Sequence, residues 1–193
     1  MKIKNLKVTF NAPVVLGIVG ISFIATLLGY LTGGFTSRLL FTTYRSAIWS
    51  PMTWIRSVAH VFGHADWAHF AGNMCYLLLI GPILEEKYGS KTLAGVVAIT
   101  AVVTAIVNSL IFHNVALCGA SGVVFAFILL SSFTSFKEGE IPLTFILVVV
   151  FFLGEQVIEG LMVRDNISNL SHIVGGIIGG LLGYAFNIQS DRK

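Results

Sequence analysis

The chain has 193 residues, of which 55% are hydrophobic and only 11% charged, and its formal charge is +3. Soluble domains carry about 25% charged residues. So few charges cannot cover a small soluble domain, which excludes a soluble globular enzyme, a disordered chain and a nucleic-acid-binding module and leaves a membrane protein.

A membrane-crossing helix needs about 20 mostly apolar residues. Stretches poor in Asp, Glu, Lys and Arg predict six helices, at approximately 12–31, 67–84, 92–112, 121–136, 141–160 and 168–187. Lys2, Lys4 and Lys7 precede the first, but its apolar run is too long for a signal peptide and no small-x-small cleavage site follows. It reads as a retained helix. The next 35 residues, 32–66, hold Phe35, Leu39, Phe41, Trp49, Met52, Trp54 and Ile55. A solvated linker is more polar, so this long first loop is expected to lie at the membrane interface and pack on the bundle. The third and fourth segments share one uncharged run, split at His113 and Asn114, and the fifth fades into Glu155 and Glu159. No repeat, low-complexity tract or second domain interrupts 1–193. The expected architecture is one all-α polytopic domain, a six-helix transmembrane bundle.

Orientation follows from the basic residues. With both termini cytoplasmic, Lys2, Lys4, Lys7, Lys87, Lys91, Lys137, Arg192 and Lys193 lie inside, and Arg38, Arg45, Arg56 and Arg164 outside. The inside excess favours that arrangement, against the three arginines of the first loop. Cys75 and Cys118 sit among apolar residues and predict no disulfide.

Polar side chains within membrane segments are expensive, so each is a functional candidate. His60, His64, His69 and Asn73 lead into the second segment. His69 and Asn73 share a helix face. Interhelical hydrogen bonding explains such residues without any chemistry. His60 and His64 have a metal-compatible spacing, but no HExxH motif accompanies them and Asp66 is the only nearby carboxylate. Gly119-Ala120-Ser121-Gly122 opens the fourth segment. Gly119 permits a tight turn and Gly122 a close backbone approach. The helix N-terminus offers unpaired N–H donors to an anion, the parts of an oxyanion hole. The full nucleophile elbow is not matched, because Val123 stands where its last glycine belongs. Taken alone, this short motif is equally a packing motif. His172 heads the sixth segment, with Gly175, Gly179 and Gly183 along the same stripe. Packing accounts for the glycines but not for the histidine.

The second, fourth and sixth segments run in one direction, so His69, Ser121 and His172 are expected at similar depth on the outer side. Gly122 and Ala126 face the role of docking on the glycine stripe, which would bring Ser121 to His172. Serine plus histidine is the minimum for nucleophile and base. No Asp or Glu lies within a turn of His172, Asp165 being seven residues earlier. The expected pair is a dyad without an acid.

With these residues in this order, the chain resembles the rhomboid family of intramembrane serine proteases, from about Trp54 to Gly183. The resemblance rests on His60, His64, His69 and Asn73, on Glu85 and Gly89, on the motif from Gly119 to Gly122, and on His172 with its glycines. It implies peptide-bond hydrolysis of transmembrane substrate proteins near the outer membrane face, with Ser121 as nucleophile and His172 as general base. It implies that His69, Asn73 and the backbone at Ser121 and Gly119 stabilise the oxyanion. Phe125 would pack on the His172 ring, with Glu85, His64, Gly122, Gly175 and Gly179 in support. It implies no metal or other cofactor. The minimal six-helix size fits a prokaryotic plasma membrane. The chain departs from the family in reading Trp54-Ile55-Arg56 where Trp-Arg is usual, and in carrying Phe125 where tyrosine is common. The competing classes are an inactive rhomboid-like adaptor that binds transmembrane helices, and a transporter of metal or other ions using His60, His64 and His69. Substrate identity, cleavage motif, oligomeric state and regulation are not written in the sequence.

Overall fold

The computed structural model describes residues 7–135, 140–162 and 169–190. Lys2, Lys4, Lys137, Arg164, Asp165, Arg192 and Lys193, and the expected helix ends at 136 and 168, lie outside them. Within the described residues the protein is all helix, with one isolated antiparallel bridge between Thr43 and Leu117. Among the described residues five helices are long and apolar enough to cross a membrane, and the chain is an integral, polytopic membrane protein.

Helix α1 spans Pro13–Leu31. Pro13 suits its first turn, where the missing N–H costs nothing. Val15, Ile18, Ser22, Ala25, Thr26 and Gly29 are buried at helical spacing, while Ile21, Phe23, Ile24 and Leu28 are exposed. Such a surface is stable only against lipid. Gly33 and Gly34, at φ +58° and +84°, end the helix and turn the chain.

The first loop is ordered. It contains α2 (Phe35–Leu40) and α3 (Pro51–Ala59), the latter continuing into a 3-10 turn at His60–Phe62. The Trp54 indole donates to Ile48 O at 2.9 Å. Arg56 Nε donates to Leu39 O at 2.8 Å, and its guanidinium lies 4.7 Å from the centre of the Tyr44 ring. Trp54 and Arg56 therefore both stitch the loop, despite Ile55 between them. Phe35, Ile48, Trp49 and Trp54 remain exposed, the residue types that settle at a bilayer interface.

Helices α4 (Trp67–Tyr88) and α5 (Ser90–Ile111) form a hairpin about Gly89, which takes φ +80°. Asp66 caps α4 by accepting from the His69 amide at 2.7 Å. The helix runs past the expected end at 84 because Glu85 does not face solvent. Its buried carboxylate accepts from the amides of Val14 at 2.9 Å and Val15 at 3.1 Å, and from the Ser90 hydroxyl at 2.7 Å. An anion here satisfies the orphan donors and the positive end of α1. Replacing Glu85 with alanine is expected to cost about 2–3 kcal/mol of stability. Thermal unfolding in detergent measures the loss, and an unchanged midpoint would refute the capping role.

Helix α6 (Ser121–Ser132) is the centre of the bundle. Gly122, Val123, Val124, Ala126, Phe127, Ile128, Leu129 and Leu130 are all buried. A helix apolar on every side belongs in an interior. Its 12 residues rise only about 18 Å against a hydrocarbon core of about 30 Å. It ends before the expected 136 in a 3-10 turn at Phe133–Ser135, where Ser131, Ser132 and Thr134 hydroxyls donate back to carbonyls of the preceding turn. Next come α7 (Leu143–Val148), a π-helical turn at Val149–Leu153 and α8 (Gly154–Met162), one continuous rod. Helix α9 spans Asn169–Ser190 and packs along α6.

The α6–α9 contact is backbone against backbone. A Cβ on Gly175 would fall 2.1 Å from Gly122 O, and one on Gly179 would fall 2.0 Å from Ala126 O. Small residues permit this approach, and between apolar helices in lipid, close packing is a main source of attraction. The core around it includes Leu77, Leu84, Leu93, Ala101, Val123 and Phe127.

Candidate active site

Ser121 is the first residue of α6 and His172 lies in the first turn of α9. Because Gly122 meets Gly175, the serine before one and the histidine one turn before the other fall side by side. His172 Nε2 is 2.8 Å from Ser121 Oγ. The Phe125 ring, one turn along α6, stacks on the imidazole at 4.7 Å with 3° between planes. That contact needs no hydroxyl.

The segment before Ser121 is held open by glycine. Gly119 has φ +122°, a conformation other residues rarely adopt. A Cβ there would meet the His69 ring at 2.7 Å and the Asn73 amide nitrogen at 3.7 Å. The turn thus carries His69 and Asn73, from the first two turns of α4, to the backbone just ahead of Ser121. Asn73 is buried and His69 half-buried. The structure therefore gathers His69, Asn73, Gly119, Ser121, Phe125 and His172 at one end of the bundle.

Two further contacts fix this end. Gly119 N donates to the carbonyl of His60 at 2.9 Å, joining the serine turn to the 3-10 turn. The His60 ring is fully buried and its Nε2 donates to Ala101 O at 3.0 Å. Burial lowers its pKa to about 4, against the opposing pull of the Ala101 carbonyl, so it is neutral at physiological pH. Burial and then the neighbouring His69 lower His64 to about 4 as well. His64 packs edge-on against His69 and Phe70. Of the histidines proposed for a metal, His60 is thus spent on a backbone carbonyl. Among the described residues no three His, Cys, Asp or Glu side chains converge. Cys75 and Cys118 are both free thiols. Glu85 lies at the far end of α4, where it ties α1 to the bundle.

Beside His64, a cavity of about 540 Å³ opens between α1, α2 and the turn before α4, with Thr26, Ser37, Arg38, Thr42 and Asp66 in its walls. It puts water-compatible groups one histidine away from His69.

The sequence reading missed one residue of this site. Gln156, from α8, places its Oε1 at 2.5 Å from His172 Nδ1. The signal was present. Glu155 and Glu159 share one face of α8, and Gln156 is turned roughly 100° from Glu155 and roughly 60° from Glu159. A strongly polar side chain off the charged face of a membrane helix points inward. A count of formal charges passes over an amide.

Comparison with known proteins identifies the family. The Rhomboid domain family matches residues 51–188, which takes in α3 to α8, most of α9, and His69, Asn73, Gly119, Ser121, Phe125, Gln156 and His172. The chain is 25% identical over 143 residues to Rhomboid-like protein 11, chloroplastic, of Arabidopsis thaliana, covering 67% of this chain and 51% of that one. It is 28% identical over 133 residues to RHOMBOID-like protein 7 of the same plant, covering 65% of this chain and 41% of that one. The chain spans about half the length of these curated relatives, or less.

Proposed function

The chain belongs to the rhomboid family, and from that premise we propose that it is an intramembrane serine endopeptidase acting on transmembrane proteins. The observation that carries this reading is the 2.8 Å contact between Ser121 Oγ and His172 Nε2 at the head of a buried helix. A serine hydroxyl is a weak nucleophile until a base takes its proton.

In the proposed reaction His172 Nε2 accepts the Ser121 proton as Oγ attacks the scissile carbonyl. Negative charge develops on the carbonyl oxygen, and the donors to hold it converge from two sides. The α6 N-terminus supplies backbone N–H groups at Ser121, shaped by the Gly119 turn, and α4 supplies His69 and the Asn73 amide. His172 then passes its proton to the leaving amine, and the acyl-enzyme is hydrolysed by water, for which the cavity beside His64 is a source. The short span of α6 supports a reaction placed below the membrane surface. The charge distribution favours both termini inside and the site toward the outer face.

An inactive adaptor needs neither nucleophile nor base, whereas here both are present and in contact. The deciding measurement is labelling of the purified protein by a fluorophosphonate in the presence of a chelator. Modification is expected at Ser121 alone and is expected to vanish in His172→Ala. Absence of label on Ser121 would leave the adaptor reading standing.

A further inference from the structure

We propose that Gln156 is the positioning residue of the Ser121–His172 pair, holding the imidazole in the tautomer that leaves Nε2 bare; this rests on the protease reading. The geometry is a relay of three groups. Gln156 Oε1 lies 2.5 Å from Nδ1, and Nε2 lies 2.8 Å from Ser121 Oγ. An amide oxygen only accepts, so Nδ1 carries the proton and donates to it. A neutral imidazole with Nδ1–H has a free lone pair on Nε2, which the serine proton requires.

Packing gives the amide no other reason to be there. Among the described side chains of 143–160, Gln156 is the one buried residue, at 6% exposure, on a helix whose other described side chains are exposed or half-exposed. A buried amide inside a membrane is costly unless bonded. The partner it finds is the one side chain whose protonation pattern the chemistry depends on.

Phe125 and Gln156 divide the task. The stacked Phe125 ring fixes the plane of the imidazole. Stacking is indifferent to a half-turn of the ring within that plane and to which nitrogen holds the proton. An acceptor in the ring plane beside Nδ1 removes both freedoms. When Nε2 takes the serine proton, Nδ1–H stays on Gln156 and the bond becomes charge-assisted. The Nε2 proton then leaves with the amine, and the starting tautomer is restored. An amide performs this orientation without placing an anion in an apolar interior.

The test uses the full chain labelled with 15N-histidine, in detergent, together with cleavage of a reporter transmembrane substrate. The His172 signals are assigned by their loss in His172→Asn. Wild type is expected to show His172 protonated at Nδ1 and bare at Nε2. Gln156→Leu, similar in volume, is expected to give a mixture of tautomers and a kcat about tenfold lower with KM unchanged. Gln156→Glu keeps an acceptor and is expected to keep the tautomer and recover most of kcat. A wild-type His172 protonated at Nε2, or a Gln156→Leu protein with unaltered tautomer and kcat, would overturn the proposal. Should Gln156→Leu fail to fold, the wild-type and Gln156→Glu spectra still decide it. Wild-type protein that neither cleaves nor takes fluorophosphonate would instead defeat the protease reading, while the spectrum still reports on the Gln156 contact.

Discussion

Ser121→Ala is expected to lower cleavage of a reporter transmembrane substrate to the enzyme-free background, while Asn73→Ala is expected to leave a measurable rate about 100- to 1,000-fold below wild type. The two losses differ because the two groups act differently. In the proposed reaction, removing Oγ removes the atom that becomes the acyl ester, and no neighbour replaces it. The serine turn holds Ala120 on one side and Gly122 on the other, neither with a nucleophilic side chain. Asn73, in that reaction, only stabilises charge that also has the backbone donors at the start of α6 and the His69 ring. A missing donor of this kind costs about 2.7–4 kcal/mol of barrier. Both variants should fold, since Ser121 is only half-buried and Asn73→Ala leaves the backbone untouched. Cleavage in reconstituted vesicles, followed over hours, reads both. Wild-type turnover by Ser121→Ala would end the assignment of the nucleophile.

The second large effect comes from a methyl group. Gly175→Ala is expected to reduce cleavage at least 100-fold and to lower the unfolding temperature, whereas Gly180→Ala, five residues on, is expected to match wild type in both. The new Cβ at 175 lies 2.1 Å from the Gly122 carbonyl oxygen and 2.8 Å from its carbon, all backbone, so no rotamer change relieves it. Helices α6 and α9 must part by about 1 Å or more. Ser121 and His172 sit on either side of that contact, and a displacement of 1 Å at reacting groups costs about 100-fold. At Gly180 nothing lies within 4 Å. Alanine there gains helix propensity and meets only open space. Equal behaviour of the two variants, by activity and thermal unfolding, would contradict the α6–α9 docking.

Much of this was legible in the sequence for a physical reason. Lipid cannot solvate a charge, so charge-free runs mark α1, α4, α5, α7–α8 and α9, and the rare polar groups inside them mark the site. Ser121, His172, His69 and Asn73 were visible for that reason. What stayed hidden were roles that depend on direction. Glu85 reads as the end of a helix by its charge, yet its carboxylate turns inward to cap α1 seventy residues away. α6 reads as a full span, because the hydroxyls of Ser131, Ser132 and Thr134 carry no charge to announce where the helix tightens and stops. Gln156 is invisible to a charge count. The carbonyl of His60, which holds Gly119 in place, is backbone and has no signature in any residue type.

The π-helical turn at Val149–Leu153 sets which residue of α8 faces His172. A turn of this kind accommodates one residue more than an α-helical turn would. Winding the same residues as a regular α-helix, with α7 held in place, rotates everything downstream by about 100°. Glu155 then arrives where Gln156 stood, and the imidazole loses its amide acceptor although no residue has been changed. The winding between α7 and α8 is therefore part of the candidate site's information. One residue removed from the turn itself is absorbed by a return to α-helical winding, whereas one removed from α8 ahead of Gln156 amounts to a substitution beside His172.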